Sequence, residues 1–274
     1  MSTLKVPGAT LYYETEGSGK PLILIPGANG DGFIFMPISQ FLKDKFTVVR
    51  YDRRGYSRSE LDAPLGPEYH DQDCLLRLKE DAADVAALIR ELDAGPAVVF
   101  GSSSGAQVAL QVLIDYPELV DTLFCHEVPL LRTFEDFPEW EKKFLNLHTI
   151  FKEKGVGPAM FAFVQAISAG EDAGNFQETA AAAGGPYAAK NLDFWFEFEL
   201  RQYSRYPMDF EALDRSADKL VLVNGEDSGG KMPAHANEYF AKKYGKEVVI
   251  APNSHFGYAE KPADFAKVLL KALA

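Results

Sequence analysis

The sequence predicts an α/β fold: a mostly parallel central sheet, helices on both faces, and a helical cap inserted past the middle. Three observations carry that reading. Leu22-Ile23-Leu24-Ile25, Val98-Val99-Phe100 and Leu220-Val221-Leu222-Val223 are continuous apolar runs, as strands buried on both faces are. Helical stretches separate such runs, and alternating strands and helices imply parallel pairing. From Leu130 to Asp214 the strand-like runs disappear and aromatic-rich helical segments replace them. The chain therefore divides into a core, residues 1–129 and 215–274, and a cap, residues 130–214.

Taken in order, Leu4 to Glu16 reads as a hairpin turning at Pro7-Gly8. Leu22–Ile25 runs into the glycine-rich loop Pro26 to Gly32, and a short helix follows over Phe35–Leu42. Phe46–Tyr51 is the next strand. The charged loop Asp52 to Ser59 after it is expected to brace the turns near a pocket. Leu78, Ala82, Val85, Ile89 and Leu92 put one apolar stripe on a helix over Leu76–Leu92, which Gly95-Pro96 ends. Val120–Cys125 is a strand leading into His126-Glu127. In the cap, helices are expected over Trp140–Phe151, Ala159–Ala169 and Leu192–Tyr203. The biased tract Ala180–Gly185 reads as a helix end running into a turn. Beyond the cap, Leu220–Val223 and Glu247–Ile250 are strands, and Pro233–Tyr244 and Pro262–Leu273 are helices.

Charge and composition narrow the function. The 274 residues carry 28 Lys and Arg against 40 Asp and Glu, a formal charge of −12. That balance argues against nucleic acid or an anionic membrane as partner and leaves a small-molecule substrate. No apolar run approaches the roughly 20 residues a membrane span needs. Met1 to Lys20 is polar and lacks a signal-peptide core. Cys74 and Cys125, without framework spacing, point to reduced thiols and a cytoplasmic setting, a single disulfide being the alternative. No Cys/His spacing suggests a metal, and no G-x-G-x-x-G follows a strand, so neither metal nor organic cofactor is expected.

The chemistry concentrates at Gly101-Ser102-Ser103-Ser104-Gly105, a G-x-S-x-G pattern set between a strand and a helix. A strand turning sharply into a helix strains its central residue and pushes that side chain into the open, so its flanking residues must be small. The helix N-terminus then favours developing negative charge. Serine needs a base, and the base needs an acid to fix its tautomer. Of five histidines, His70 sits in a polar loop, His148 and His235 in helices, and His126 at a strand end. His255 alone occupies a loop after the last strand, where ligands of such sheets bind. Ser103, His255, the Gly27-Ala28 loop and the His126-Glu127 step all fall at that end.

At these residues the chain resembles the α/β-hydrolase fold family over nearly its whole length. Ile25-Pro26-Gly27 is similar to the family's oxyanion loop, with Pro26 where histidine is common. Tyr51 to Ser59 is similar to the loop after its fourth strand, Gly101–Gly105 to its elbow, and Ser254-His255 to its terminal histidine. The resemblance implies oxyanion donors at the Ala28 and Ser104 N–H groups. It places the usual aspartate at a position held here by Ser228, with Asp227 one residue early. Gly101 to Ala106 and Cys125-His126-Glu127-Val128-Pro129 resemble zearalenone-type lactone hydrolases, which use glutamate after the preceding strand. The expected acid is therefore Glu127, with Asp227 as the alternative.

The implied reaction is hydrolysis of a carboxylic ester or lactone of an apolar small molecule through an acyl-enzyme. Asn29, Trp195 and Phe256 are assigned to the substrate pocket, and most cap aromatics to cap core. A serine at the elbow argues against dehalogenase and epoxide hydrolase chemistry, which need a carboxylate there. C–C bond hydrolysis and cofactor-free perhydrolysis remain open on the same triad. So does a non-catalytic small-molecule receptor on the same fold.

Overall fold

The computed structural model describes residues 2–168 and 185–273. Its sheet contains β1 (Ser2–Val6), β2 (Ala9–Gly17), β3 (Lys20–Ile25), β4 (Phe46–Tyr51), β5 (Glu60–Leu61), β6 (Ala97–Ser102), β7 (Val120–His126), β8 (Leu220–Gly225) and β9 (Val248–Ala251). The spatial order is β1-β2-β4-β3-β6-β7-β8-β9, with β5 on β2. The pairs from β4 through β9 are parallel, whereas β1, β2 and β5 pair antiparallel. β3 and β6 therefore lie at the centre, and the loops beyond their carboxyl ends come side by side.

Both faces of the continuous runs are buried, as their composition requires. Ile23, Ile25 and Val99 face one cluster with α2 (Leu76–Glu91), α3 (Ser104–Asp115) and the helix over Met232–Tyr244. Leu22, Leu24, Val98 and Phe100 face another with α1 (Met36–Leu42) and the closing helix over Pro262–Ala272. At about 25 cal/mol per Å² of apolar surface removed from water, this double burial is the main source of the sheet's stability.

Between β7 and β8 run α4 (Phe137–Lys154), α5 (Val156–Ser168), α6 (Ala188–Phe198), α7 (Leu200–Tyr203) and α8 (Phe210–Asp214). The helix over Met232–Tyr244 is α9, Gly257–Glu260 is α10 and Pro262–Ala272 is α11. Phe144, Leu147, Met160, Trp195 and Phe196 make a third apolar cluster of their own. Aromatic contacts such as Phe151–Phe196 and Phe163–Trp195 pack it. One expectation needs correction. The helix expected over Leu192–Tyr203 begins at Ala188 and breaks at Glu199, which turns its carboxylate onto buried Arg53. The tract at 180–184 and Ala169 lie outside the described residues.

Candidate active site

The site is built by three strand ends. β6 ends at Ser102, and Ser103 takes φ 57°, ψ −129° before α3 begins. Such a conformation costs a non-glycine residue roughly 1–3 kcal/mol and persists only where packing dictates it. Here the packing is tight: a Cβ on Gly105 would stand 2.3 Å from the carbonyl oxygen of Ile25. The Ser103 N–H donates to the His126 carbonyl at 2.9 Å, tying the elbow to the end of β7.

β3 delivers the second component. A Cβ on Gly27 would lie 2.9 Å from the Ser103 Cβ, so this loop runs directly against the elbow. Among the described residues, the Ala28 and Ser104 N–H groups donate to no acceptor. Both residues line cavities that Ser103 also lines.

The third component is an acid–imidazole pair. Glu127 follows β7 at φ 47° and is fully buried. Its Oε2 faces His255 Nδ1 at 2.5 Å, and its Oε1 accepts from the Gly225 N–H at 2.8 Å. The Ser228 hydroxyl adds a third hydrogen bond. Burial alone would push the Glu127 carboxyl up. The bond to His255, the fields of His126 and His255, and the Ser228 bond outweigh it and pull the carboxyl down to about 2. The carboxylate is thus held ionised against His255. Asp227 is exposed, and its N–H approaches the Asn253 carbonyl at 3.4 Å. Ser228 is buried against Glu127.

Two adjoining cavities are both lined by Ser103, Phe163 and His255. Trp195 lines the first, with Phe144 and Tyr203; Asn29 and Phe256 line the second, with Met160. The structure therefore brings Ser103, Ser104, Glu127, His255, Ala28, Asn29, Trp195 and Phe256 to one place and leaves Asp227 outside it. His70 pairs with Glu197, His148 approaches the same carboxylate, and His235 stacks on Phe134. None of these three histidines lines either cavity.

This arrangement is that of an elbow serine, a carboxylate-oriented imidazole and a backbone loop with unspent N–H groups. The chain matches the alpha/beta hydrolase family over residues 22–268. It belongs to that family. This α/β hydrolase is 29% identical over 273 residues to the uncharacterized hydrolase YraK of Bacillus subtilis, covering 97% of this chain and 93% of that one. It is 28% identical over 270 residues to a zearalenone hydrolase of Cladophialophora bantiana, covering 96% and 92%. A thermophilic esterase from Thermogutta terrifontis shares the fold, with a TM-score of 0.74 at 19% identity over 99% of this chain and 96% of that one.

Two residues of the candidate site have placements that the sequence did not assign. His126 is fully buried, its Nδ1 2.9 Å from the Ser102 hydroxyl, and its ring stacks between Phe100 and His255 at 5.8 Å from each. Burial is the main cause that lowers its pKa to about 4, so it is a neutral platform beneath His255. Its signal in the sequence is only its place one residue before Glu127. Gln107, on α3, lines the first cavity and donates to the Tyr203 carbonyl at 2.6 Å. The two cysteines are free, Cys125 buried in β7. Among the described residues, no cluster of His, Cys, Asp and Glu could hold a metal, and no helix is long and apolar enough to cross a membrane.

Proposed function

We infer that this α/β hydrolase cleaves a carboxylic ester or lactone of an apolar small molecule through an acyl-enzyme on Ser103. The observation that carries the reading is the Glu127–His255 pair, 2.5 Å apart and buried, opening onto the cavities that the strained Ser103 lines. Glu127 accepts from Nδ1–H of His255, which leaves Nε2 unprotonated and able to take the Ser103 proton. Ser103 Oγ attacks the carbonyl carbon, and the oxygen becomes an oxyanion held by the Ala28 and Ser104 N–H groups. The carbon–oxygen bond to the alcohol breaks, and His255 returns the proton to it. Water, deprotonated by His255, then attacks the acyl carbon, and Ser103 leaves with that proton.

The apolar lining of both cavities supports an apolar substrate, with one cavity for each side of the scissile bond. Lactone cleavage draws support from the Cys125–Pro129 resemblance and from the zearalenone hydrolase relative. The test is hydrolysis of a short p-nitrophenyl ester, then of a lactone series, by wild type and Ser103→Ala side by side. Loss of roughly 10⁴-fold or more in the variant is expected for an elbow nucleophile. Equal turnover in both proteins would overturn the assignment.

A further inference from the structure

The loop after β4 carries Arg53, which is fully buried and lines neither cavity. One of its NH2 hydrogens goes to the Gly27 carbonyl at 2.8 Å. That carbonyl belongs to the same peptide unit as the Ala28 N–H. No peptide bond among the described residues is cis, and in a planar trans peptide the N–H points opposite to the C=O. Whatever fixes the direction of the Gly27 oxygen therefore fixes the direction of the Ala28 hydrogen. The Gly30 N–H also donates to the Gly27 oxygen, at 2.9 Å, so two donors hold it.

Arg53 is itself clamped. Its NH1 donates to Asp81 Oδ2 on α2 at 2.9 Å, and its NH2 to both carboxylate oxygens of Glu199 at 2.9 Å. Its backbone N–H donates to the Gly30 carbonyl at 2.8 Å. Tyr56 lies under the guanidinium, 4.8 Å from its ring centroid, and its hydroxyl donates to Glu199 at 2.5 Å. Glu199 comes from the break between α6 and α7, in the helical segment above the sheet, and lines the first cavity. Buried ion pairs of this kind are poor stabilisers, because desolvation offsets their attraction. What this one supplies is a cation fixed at one carbonyl oxygen.

We propose that Arg53 is a positioning residue for the oxyanion hole: clamped by Asp81 and by Glu199 of the cap, it locks and polarises the Gly27–Ala28 peptide so that the Ala28 N–H stays aimed at the oxygen bound at Ser103. The proposal rests on the reading of Ala28 as an oxyanion donor. A cation hydrogen-bonded to the carbonyl withdraws electron density from the peptide and strengthens its N–H as a donor. Flipping the peptide would strand a buried guanidinium hydrogen and expose a carbonyl to the oxyanion instead. The cap thereby contributes to transition-state stabilisation through Glu199 as well as to enclosure of the substrate.

The experiment compares wild type, Arg53→Lys, Glu199→Gln and the charge-balanced pair Arg53→Met with Glu199→Gln. Two quantities are read on each folded protein. One is kcat and KM on a p-nitrophenyl ester. The other is the NMR-monitored titration of the hemiketal that an aryl trifluoromethyl ketone forms with Ser103. Against Glu199→Gln alone, the paired variant is expected to lose about 10- to 100-fold in kcat at unchanged KM, less than the roughly 100- to 1000-fold of losing a donor outright. Its hemiketal oxyanion is expected to titrate at least about one pH unit higher. Arg53→Lys keeps the charge but not the fork that reaches three acceptors, and falls between the two. Unchanged kcat and hemiketal titration in folded Arg53→Lys and in the paired variant would overturn the proposal. A wild type that forms no Ser103 adduct would overturn the site reading itself, and the proposal with it.

Discussion

Replacing Glu127 by glutamine is the most informative single change. The side chain is fully buried and accepts at both oxygens, from Gly225 N at 2.8 Å and at His255 Nδ1 at 2.5 Å. Glutamine keeps the shape but has one acceptor and one donor. If its oxygen stays on Gly225, its NH2 points at His255 and demands an unprotonated Nδ1. The proton then moves to Nε2, where the imidazole faces Ser103 as a donor and cannot take its proton. The charge matters too. The carboxyl sits at about 2 instead of its ordinary 4.5, which at ~1.4 kcal/mol per pH unit is a preference of about 3 kcal/mol for the ionised form. Tautomer and charge together lead us to expect a loss of about 10³–10⁴ in kcat on a p-nitrophenyl ester, or roughly 4–5.5 kcal/mol of barrier. KM should change little, because the role proposed for the carboxylate lies in proton transfer rather than in binding. Turnover within about tenfold of wild type by folded Glu127→Gln, with turnover lost in Asp227→Asn, would refute the reasoning.

Two further predictions concern the surroundings. Burial lowers the His126 pKa from 6.5 to about 4, so the unfolded chain binds a proton in that interval that the folded one refuses. The His126 contribution to stability should therefore be lost as pH drops from about 6.5 to 4, on the order of 3 kcal/mol. His148, also lowered to about 4, acts in the same interval, so His126→Phe should reduce that slope in denaturant titrations without abolishing it; an unchanged slope would exclude His126 as a source. Phe163 lines both cavities, so Phe163→Ala should join them, lowering kcat/KM for small esters by about tenfold and admitting bulkier acyl groups. A substrate-size profile on an ester series reads this directly, and an unchanged profile would mean that Phe163 does not divide the pocket.

The parts of the molecule that were legible in the sequence are those fixed by local physics. The strands of the central sheet are short continuous apolar runs bounded by turn residues, and their burial on both faces follows from that pattern. The elbow was legible because a strained serine needs small neighbours on both sides. His255 was legible by its place in the last loop. Glu127 was legible through resemblance rather than spacing, since a carboxylate after a strand is ordinarily a solvated charge. The buried polar set was not legible. Arg53 and Glu199 lie 146 residues apart, and no local pattern announces that a charged residue in an aromatic helix will turn inward to meet a loop arginine. The same long-range pairing explains why the helix expected through Tyr203 breaks at Glu199.

The position of the acid follows from the sheet itself. Ser102 on β6 pairs in register with His126 on β7, so the residue after His126 emerges beside Ser103. β8 is the next strand over, and Glu127 donates its N–H to Val223 at 3.2 Å, one step past the end of the ladder. From there the side chain must cross the end of β8 to meet a histidine arriving from beyond β9. Neighbouring strands stand about 4.8 Å apart, a span that favours the extra methylene of glutamate over aspartate. The positive φ of 47° at Glu127 turns the chain away at that point, and Gly225 and Ser228 at the end of β8 supply the hydrogen bonds that hold the carboxylate. With Ser228 filling the alternative position, two carboxylates do not compete for one imidazole. Ser103 and Glu127 thus both carry backbone strain, of order 1–3 kcal/mol each, at the ends of adjacent strands. Glu127 is fully buried and Ser103 half-buried, and both line the first cavity, so the two strained residues converge on the proposed site of chemistry.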